Sequence, residues 1–281
     1  MGDGAEPAEG PARSRTSSEL ALRILSGIVL AAAVLGATFW GGLPFALIWA
    51  VAAGGVAYEW QSLTDQQEVI RQRARAVALL VAAAALALHL AGALVGGLLI
   101  AAAALLAGIG RNGSRAKRAA RIAGVLYAAV IAIVPVAARQ GEWGLLLVLW
   151  IFAVVWTTDV LAYACGRLIG GPKLWPRVSP KKTWSGFLGG VATGAFAGWL
   201  VAGTSLVGGP APFATWIILV ASAVAAIASQ AGDLAESALK RRVGVKDTGS
   251  IIPGHGGLMD RLDSFWAVSL LVGLGLLIQL A

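Results

Sequence analysis

The segment 232–263 combines five basic side chains with five carboxylates, although the whole chain of 281 residues contains only 14 acids. A polybasic strip that binds lipid headgroups would carry charge of nearly one sign. The carboxylates therefore indicate a positive partner of their own, such as a hard divalent cation. The bases are Lys240, Arg241, Arg242, Lys246 and Arg261, and the acids are Asp233, Glu236, Asp247, Asp260 and Asp263.

Two of these carboxylates, Asp233 and Asp260, are the candidate metal ligands. Asp233 lies at the end of one apolar run, and Ser237 and Lys240 follow it at i+4 and i+7, on one face of a continuing helix. Asp260 and Asp263 stand at i and i+3 where the last apolar run begins. Magnesium fits best, because it takes few carboxylates, keeps waters and completes its shell with phosphate oxygens. The alternative is that the acids form juxtamembrane salt bridges with neighbouring bases.

A glycine-rich run, Pro253 to Gly257, lies between the two candidate ligands. Its three glycines permit positive φ and let backbone N–H groups approach an anion closely. His255 is interpreted as a phosphate contact, with an acid–base role or an interfacial position as alternatives. The run is flanked by Lys240-Arg241, Lys246-Asp247 and Asp260-Arg261, and it therefore predicts a cradle for phosphate and metal.

A second polar stretch, from Ser179 to Thr183, is also a candidate for contact with a substrate phosphate. Pro180 restricts the backbone, and Lys181, Lys182 and Thr183 supply donors just before an apolar run. The alternative is that these basic residues anchor the cytoplasmic side of the protein at the membrane, as the positive-inside rule predicts. Asp159, near the end of its own apolar run, is costly in lipid and is expected to face the same cavity.

The elements that must position these residues are apolar. The chain is 58% hydrophobic and 13% charged, and its mean hydropathy is +0.79. It contains a series of long apolar runs, and a helix formed by such a run can cross a hydrocarbon core of about 30 Å. We predict an all-α, polytopic integral membrane protein with about nine transmembrane helices. The runs are Leu22–Trp40, Leu43–Tyr58, Ala76–Gly92, Ala93–Gly110, Ala120–Ala138, Gly144–Tyr163, Trp184–Val207, Pro212–Ala231 and Ser264–Ala281.

The basic residues predict the orientation of these runs. With the N-terminus in the cytoplasm, 21 of the 22 Lys and Arg residues fall on the cytoplasmic side, and only Arg139 falls outside. The net charge of +8 therefore reflects membrane topology, and nucleic acid is not expected as a partner. The predicted organisation is a disordered cytoplasmic tail (1–21), a five-helix region (22–138) and a catalytic region (139–281) with cytoplasmic loops 164–183 and 232–263.

The run from Ser237 to Asp263 resembles the signature of phosphatidate cytidylyltransferases. The resemblance extends upstream to Gln230–Ser237 and to Asp159–Tyr163 through Ser179–Trp184, so it covers roughly the C-terminal half. The first five apolar runs match only in general character. One departure is Ser185, because the family often has Glu at that position.

The resemblance implies transfer of the cytidylyl group of CTP to phosphatidic acid, giving CDP-diacylglycerol and pyrophosphate in phospholipid biosynthesis. It implies a homodimer in the inner (plasma) membrane, with the active site on the cytoplasmic face. Asp233 and Asp260 would hold magnesium and a second cation, and Asp263 would orient Arg261 or a metal-bound water. The expected catalytic residues are Asp233, Lys240, Arg241 and Asp260. The expected phosphate-binding residues are Ser179, Lys181, Lys182, Thr183, Ser237, Lys246, Asp247, His255, Gly256, Gly257, Arg261 and Asp263.

Two other functions are compatible with the same pattern. Another CTP-using membrane enzyme, such as a polyprenol kinase, is separated poorly from a cytidylyltransferase by sequence. A secondary transporter is the alternative from a different class, but transporters place polar groups at the midplane of broken helices and show repeats. In this chain the polar groups cluster on one side of the membrane, which favours an interfacial enzyme.

Overall fold

The computed structural model describes residues 13–64, 68–109, 114–203, 211–249, 251 and 256–280. Within these ranges the chain forms nine α-helices and one two-stranded β-hairpin, so the predicted helical membrane fold is confirmed. The helices are α1 (Arg13–Trp40), α2 (Gly42–Thr64), α3 (Glu68–Ala91), α4 (Ala93–Gly108), α5 (Arg115–Gln140), α6 (Gly144–Leu168), α7 (Trp184–Gly203), α8 (Thr215–Arg242) and α9 (Met259–Leu280); the strands are β1 (Lys173–Trp175) and β2 (Ser179–Thr183).

Seven of the described helices, α2, α3 and α5 to α9, are long and apolar enough to cross a membrane. The apolar parts of α1 and α4 are shorter, at Leu25–Trp40 and Ala93–Gly108. A multi-pass membrane protein is therefore confirmed, while nine crossings and a cytoplasmic N-terminus stay predictions. Two boundaries differ from expectation: α1 starts within the predicted tail, and α8 runs on to Arg242, so the first part of the predicted loop 232–263 is helical.

The turn between α3 and α4 consists of one residue, Gly92. Its φ of 91° lies in the region that side chains with a Cβ rarely adopt. A glycine therefore lets the chain reverse between two adjacent apolar runs, which is the tight hairpin that the sequence predicts at Gly92/Ala93.

Arg139, the one base expected on the far side, lies near the C-terminal end of α5. Its Nε donates to the carbonyl oxygen of Thr38 at 3.0 Å. The last carbonyls of a helix such as α1 lack partners within the helix. Arg139 therefore supplies a donor to α1, which gives this exception to the charge pattern a structural role.

The core lies where α2, α5, α6 and α9 meet. Trp49 of α2 stacks on Phe265 of α9, with ring centroids 4.5 Å apart. Tyr127 of α5 stacks on Trp266 of α9, with centroids 4.4 Å apart. These stacked pairs hold α9 beside the N-terminal helices and so fix the position of its first turn.

A face of small residues on α7 lets this helix approach α6 and α8 closely. Gly186, Gly190, Gly194 and Gly198 are buried along that face. A Cβ added at Gly190 would lie 2.8 Å from the Cβ of Ala162 on α6, and one at Gly194 would overlap the hydroxyl of Thr158. Because the ends of α6, α7 and α8 carry many of the candidate site residues, this close packing sets the width of the site.

Replacing Gly194 with valine is expected to destabilise the fold by about 1–3 kcal/mol, because the added side chain must force α6 and α7 apart. Thermal unfolding of the purified protein in detergent measures the change. Gly97→Val on α4 is the matched control, since a Cβ there meets nothing within 4 Å. The prediction is wrong if both variants unfold at the wild-type temperature.

Candidate active site

A cavity of about 650 Å³ opens at one end of the bundle, where α6, α7, α8 and α9 meet the β-hairpin. Its walls combine five carboxylates with six bases. A cavity lined by both charges is suited to a polyanion bound together with cations, because the bases can pair with the anion and the carboxylates with the cations. The carboxylates are Asp159, Asp233, Asp247, Asp260 and Asp263, and the bases are Arg167, Lys173, Lys181, Lys182, Lys240 and Arg261.

Asp260, in the first turn of α9, is held by three donors. Its Oδ1 accepts from the ammonium of Lys240 at 2.8 Å. Its Oδ2 accepts from the backbone N–H groups of Thr248 and Gly257, both at 3.0 Å. Lys240 also lies 3.5 Å from Oε2 of the buried Glu236, one turn back on α8. The arrangement orients Asp260 from α8 and, at the same time, from the polar segment between α8 and α9, whose described residues include Thr248, Gly249 and Gly257.

Asp233, on α8, pairs with a lysine of the β-hairpin. Its Oδ2 lies 2.6 Å from the ammonium of Lys182, and its Oδ1 accepts from the hydroxyl of Ser237 at 3.3 Å. The predicted same-face neighbour at i+4 is therefore in contact. The ion pair joins α8 to β2 across the cavity.

Asp159 and Asp263 lie on the wall formed by α6 and α9. The hydroxyl of Ser264 donates to Oδ1 of Asp159 at 3.3 Å, while the backbone N–H of Ser264 donates to Oδ1 of Asp263 at 2.7 Å. Ser264 thus links both carboxylates. The expectation that Asp159 faces the same cavity is met by its place among the lining residues.

The two predicted magnesium ligands line the same cavity, and each is bonded to a lysine. In the described part of the chain, no group of three or more His, Cys, Asp and Glu side chains is arranged as a metal site. A carboxylate offers roughly four lone-pair positions. Asp260 uses three of them and Asp233 uses two in the contacts above, so both keep acceptor capacity toward a cation. The residues present fit magnesium, which stays a prediction.

The β-hairpin was not predicted, because each strand is short and polar. Lys173 pairs with Thr183 and Trp175 with Ser179 in an antiparallel register. The hydroxyl of Thr183 accepts from the N–H of Gly186 at 3.2 Å and so caps α7. Lys181 and Lys182, on β2, both line the cavity.

Ser185, where the resemblance leads one to expect Glu, has a local role. Its hydroxyl donates to the carbonyl oxygen of Gly170 and lies 3.0 Å from the hydroxyl of Thr183. Ser185 therefore ties the end of α6 to the start of α7, next to the cavity.

The structure brings most of the predicted site residues together. Those that line the cavity are Lys181, Lys182, Thr183, Asp233, Lys240, Asp247, Asp260, Arg261 and Asp263. Ser237 and Gly257 contact lining carboxylates, and Gly256 adopts a φ of 86° beside Asp260, as the glycine-rich run predicts. Arg241 and Lys246 are exposed and, with Ser179, are not among the lining residues. His255 lies outside the described residues.

One residue of this region, Glu59 on α2, was missed by sequence reasoning. It is buried, with 2% of its surface exposed, and its carboxylate contacts the polar segment before α9. The available signal is a carboxylate directly after the apolar run Leu43–Tyr58, since a charged group at the end of a span needs a partner.

Comparison with known proteins matches residues 21–278 to the model of the cytidylyltransferase family. The chain belongs to this family. The family match extends well beyond the C-terminal half that carries the signature. The N-terminal helices are therefore part of the family's common domain.

Curated relatives of this cytidylyltransferase-family protein support the same conclusion. A phosphatidate cytidylyltransferase of Brucella abortus biovar 1 (strain 9-941) is 40% identical over 257 residues, which cover 91% of this chain and 92% of that protein. A phosphatidate cytidylyltransferase of Staphylococcus saprophyticus is 44% identical over 137 residues, which cover 49% of this chain and 51% of that protein. The predicted family is confirmed, and the chain is a nucleotidyltransferase of the membrane.

Proposed function

We propose that this protein transfers the cytidylyl group of CTP to phosphatidic acid, forming CDP-diacylglycerol and pyrophosphate in phospholipid biosynthesis. The observation that carries the proposal is a cavity whose walls hold five carboxylates and six bases at one end of an apolar bundle. Both substrates present phosphates, and one of them is a lipid. A charged cavity at the end of membrane helices can bind both at once.

The chemistry is an in-line displacement at phosphorus. An oxygen of the phosphatidic acid phosphate attacks the α-phosphorus of CTP, the bond between that phosphorus and the bridging oxygen to the β-phosphate breaks, and pyrophosphate leaves with the electron pair. Catalysis of such transfers depends mainly on positioning and on stabilisation of phosphate charge. Lys181, Lys182, Lys240 and Arg261 supply that positive charge from the cavity wall, and Asp260 orients Lys240.

Asp233 and Asp260 would hold magnesium, and the bound ion would supply charge neutralisation on the phosphates. A second cation belongs to the same proposal. Lys182 pairs with Asp233 in this structure, so its ammonium would be released to contact a substrate phosphate if Asp233 held a cation.

We also propose that the protein is a homodimer in the inner membrane, with its active site on the cytoplasmic face. Support for the face comes from the basic residues, because the cavity contains six of them and cytoplasmic segments are enriched in Lys and Arg. Support for the dimer is the family resemblance. Native mass spectrometry of the detergent-solubilised protein tests the dimer, and a mass of one chain would contradict it.

The test of the reaction uses the purified full chain with labelled CTP, phosphatidic acid and magnesium. Labelled liponucleotide and an equal amount of pyrophosphate are expected. A lipid kinase would instead phosphorylate diacylglycerol or a polyprenol and release CDP, so the nucleotide product separates the two activities. Absence of liponucleotide, while a related phosphatidate cytidylyltransferase is active in the same mixture, would overturn the proposal.

A further inference from the structure

We propose that Glu59 is a positioning residue of the active site, which acts through the polar segment that orients Asp260. The inference rests on the proposed function only for its kinetic readout. It assigns to the N-terminal helices a direct part in building the site, in addition to their part in the membrane.

The carboxylate of Glu59 accepts three hydrogen bonds from the polar segment. The backbone N–H of Leu258 donates to Oε1 and that of Met259 to Oε2, each at 2.8 Å. The hydroxyl of Thr248 donates to Oε2 at 3.2 Å. Since the first N–H groups of a helix lack partners within it, Glu59 satisfies the start of α9 and places a negative charge at its positive end.

The same two stretches of backbone are held by Asp260 from the other side. Thr248 donates its hydroxyl to Glu59 and its N–H to Asp260. Gly257 donates its N–H to Asp260, and the next N–H, of Leu258, goes to Glu59. Two carboxylates that are far apart in the sequence, Glu59 and Asp260, therefore contact the same short segment. A shift of that segment away from Glu59 would also move both backbone donors of Asp260.

Gly249 and Gly257 lie so close to the carboxylate of Glu59 that a larger side chain at either position would overlap it. A Cβ added at Gly249 would lie 2.6 Å from Oε1 of Glu59, and one at Gly257 would lie 2.8 Å from Oε2. Both positions are occupied by the smallest residue, so the backbone can approach the carboxylate. Burial also means that water cannot replace a lost partner, which makes each missing hydrogen bond costly.

Glu59→Gln is the informative substitution, because it keeps the size of the side chain and removes the charge. Glutamine has one acceptor oxygen, and its amide N–H₂ would face a backbone donor. Amide exchange in the stretch 256–262 is expected to accelerate by about tenfold or more, since a hydrogen bond to a charged group is lost. In the liponucleotide assay, the magnesium concentration for half-maximal activity should rise by a similar factor, because Asp260 is no longer oriented.

Gln61→Ala is the matched control on the same helix. Gln61 is as buried as Glu59, and its Nε2 donates to the carbonyl oxygen of Arg121, away from the polar segment. It should lower thermal stability without changing amide exchange in 256–262 or the magnesium requirement. Thr248→Val, which removes only the hydroxyl contact with Glu59, should give a smaller shift in the same direction as Glu59→Gln.

Equal behaviour of Glu59→Gln and Gln61→Ala in both readouts would overturn the proposal, as would unchanged exchange in 256–262. If Glu59→Gln does not fold, an unchanged exchange rate in Thr248→Val overturns it instead. Amide exchange requires no turnover, so failure of the wild-type protein to make liponucleotide would count against the proposed function and not against this inference.

Discussion

Replacing Asp260 with asparagine is expected to lower turnover by about 1,000-fold, because the charge that orients Lys240 and would hold magnesium is lost, and removing one preorganised electrostatic group typically costs about 100- to 1,000-fold in turnover. All three partners of this side chain, Lys240, Thr248 N–H and Gly257 N–H, are donors. The amide N–H₂ of asparagine must therefore face at least one of them. Steady-state formation of labelled liponucleotide at saturating magnesium measures the loss.

The control for Asp260→Asn is Glu142→Gln, which removes the charge of an exposed carboxylate. Glu142 lies between α5 and α6, at the end of α6 remote from the cavity. The activity of the Glu142→Gln variant should equal that of the wild type. Activity of Asp260→Asn within threefold of wild type would remove Asp260 from the catalytic residues.

Asp233→Asn is expected to lower activity by about 100-fold and to raise the magnesium requirement, because the charge of a proposed metal ligand is lost, together with the anion that pairs with Lys182 at 2.6 Å. A magnesium titration of the initial rate separates the two effects. Wild-type activity at low magnesium would exclude Asp233 as a metal ligand.

A graded comparison for Asp233→Asn is Ser237→Ala. Its hydroxyl donates to the carboxylate of Asp233 at 3.3 Å, and a long hydrogen bond to a charged group is expected to contribute about 1.5 kcal/mol, the low end of the usual range. The loss should therefore stay within about tenfold. A larger loss in Ser237→Ala than in Asp233→Asn would show that the hydroxyl acts directly on a substrate.

The helices and one end of the site follow from local patterns in the sequence. Apolar length sets the spans, a single glycine at Gly92 allows the sharp reversal, and the spacing from Asp233 to Ser237 gives a contact seen in the structure. Each of these depends on residues close together in the chain. Helical periodicity is sufficient for them.

The remaining features depend on tertiary contacts that no local pattern encodes. The β-hairpin contacts α8 through the ion pair of Lys182 with Asp233, about 50 residues later. Glu59 is separated by 199 residues from Leu258, its donor on the polar segment. The amide of Gly257, expected to meet a substrate phosphate, donates to Asp260 in this structure. Its contact with phosphate stays a prediction.

The long-range contact of Glu59 also affects when the active site can form during synthesis of the protein. Met259 follows Glu59 by 200 residues, which a ribosome needs about 10–40 s to add at about 5–20 residues per second. During that interval a carboxylate destined for burial has entered the membrane region without the three donors that later surround it. The active site is therefore completed only when α9 emerges, and a chain that stalls before α9 cannot carry a finished site.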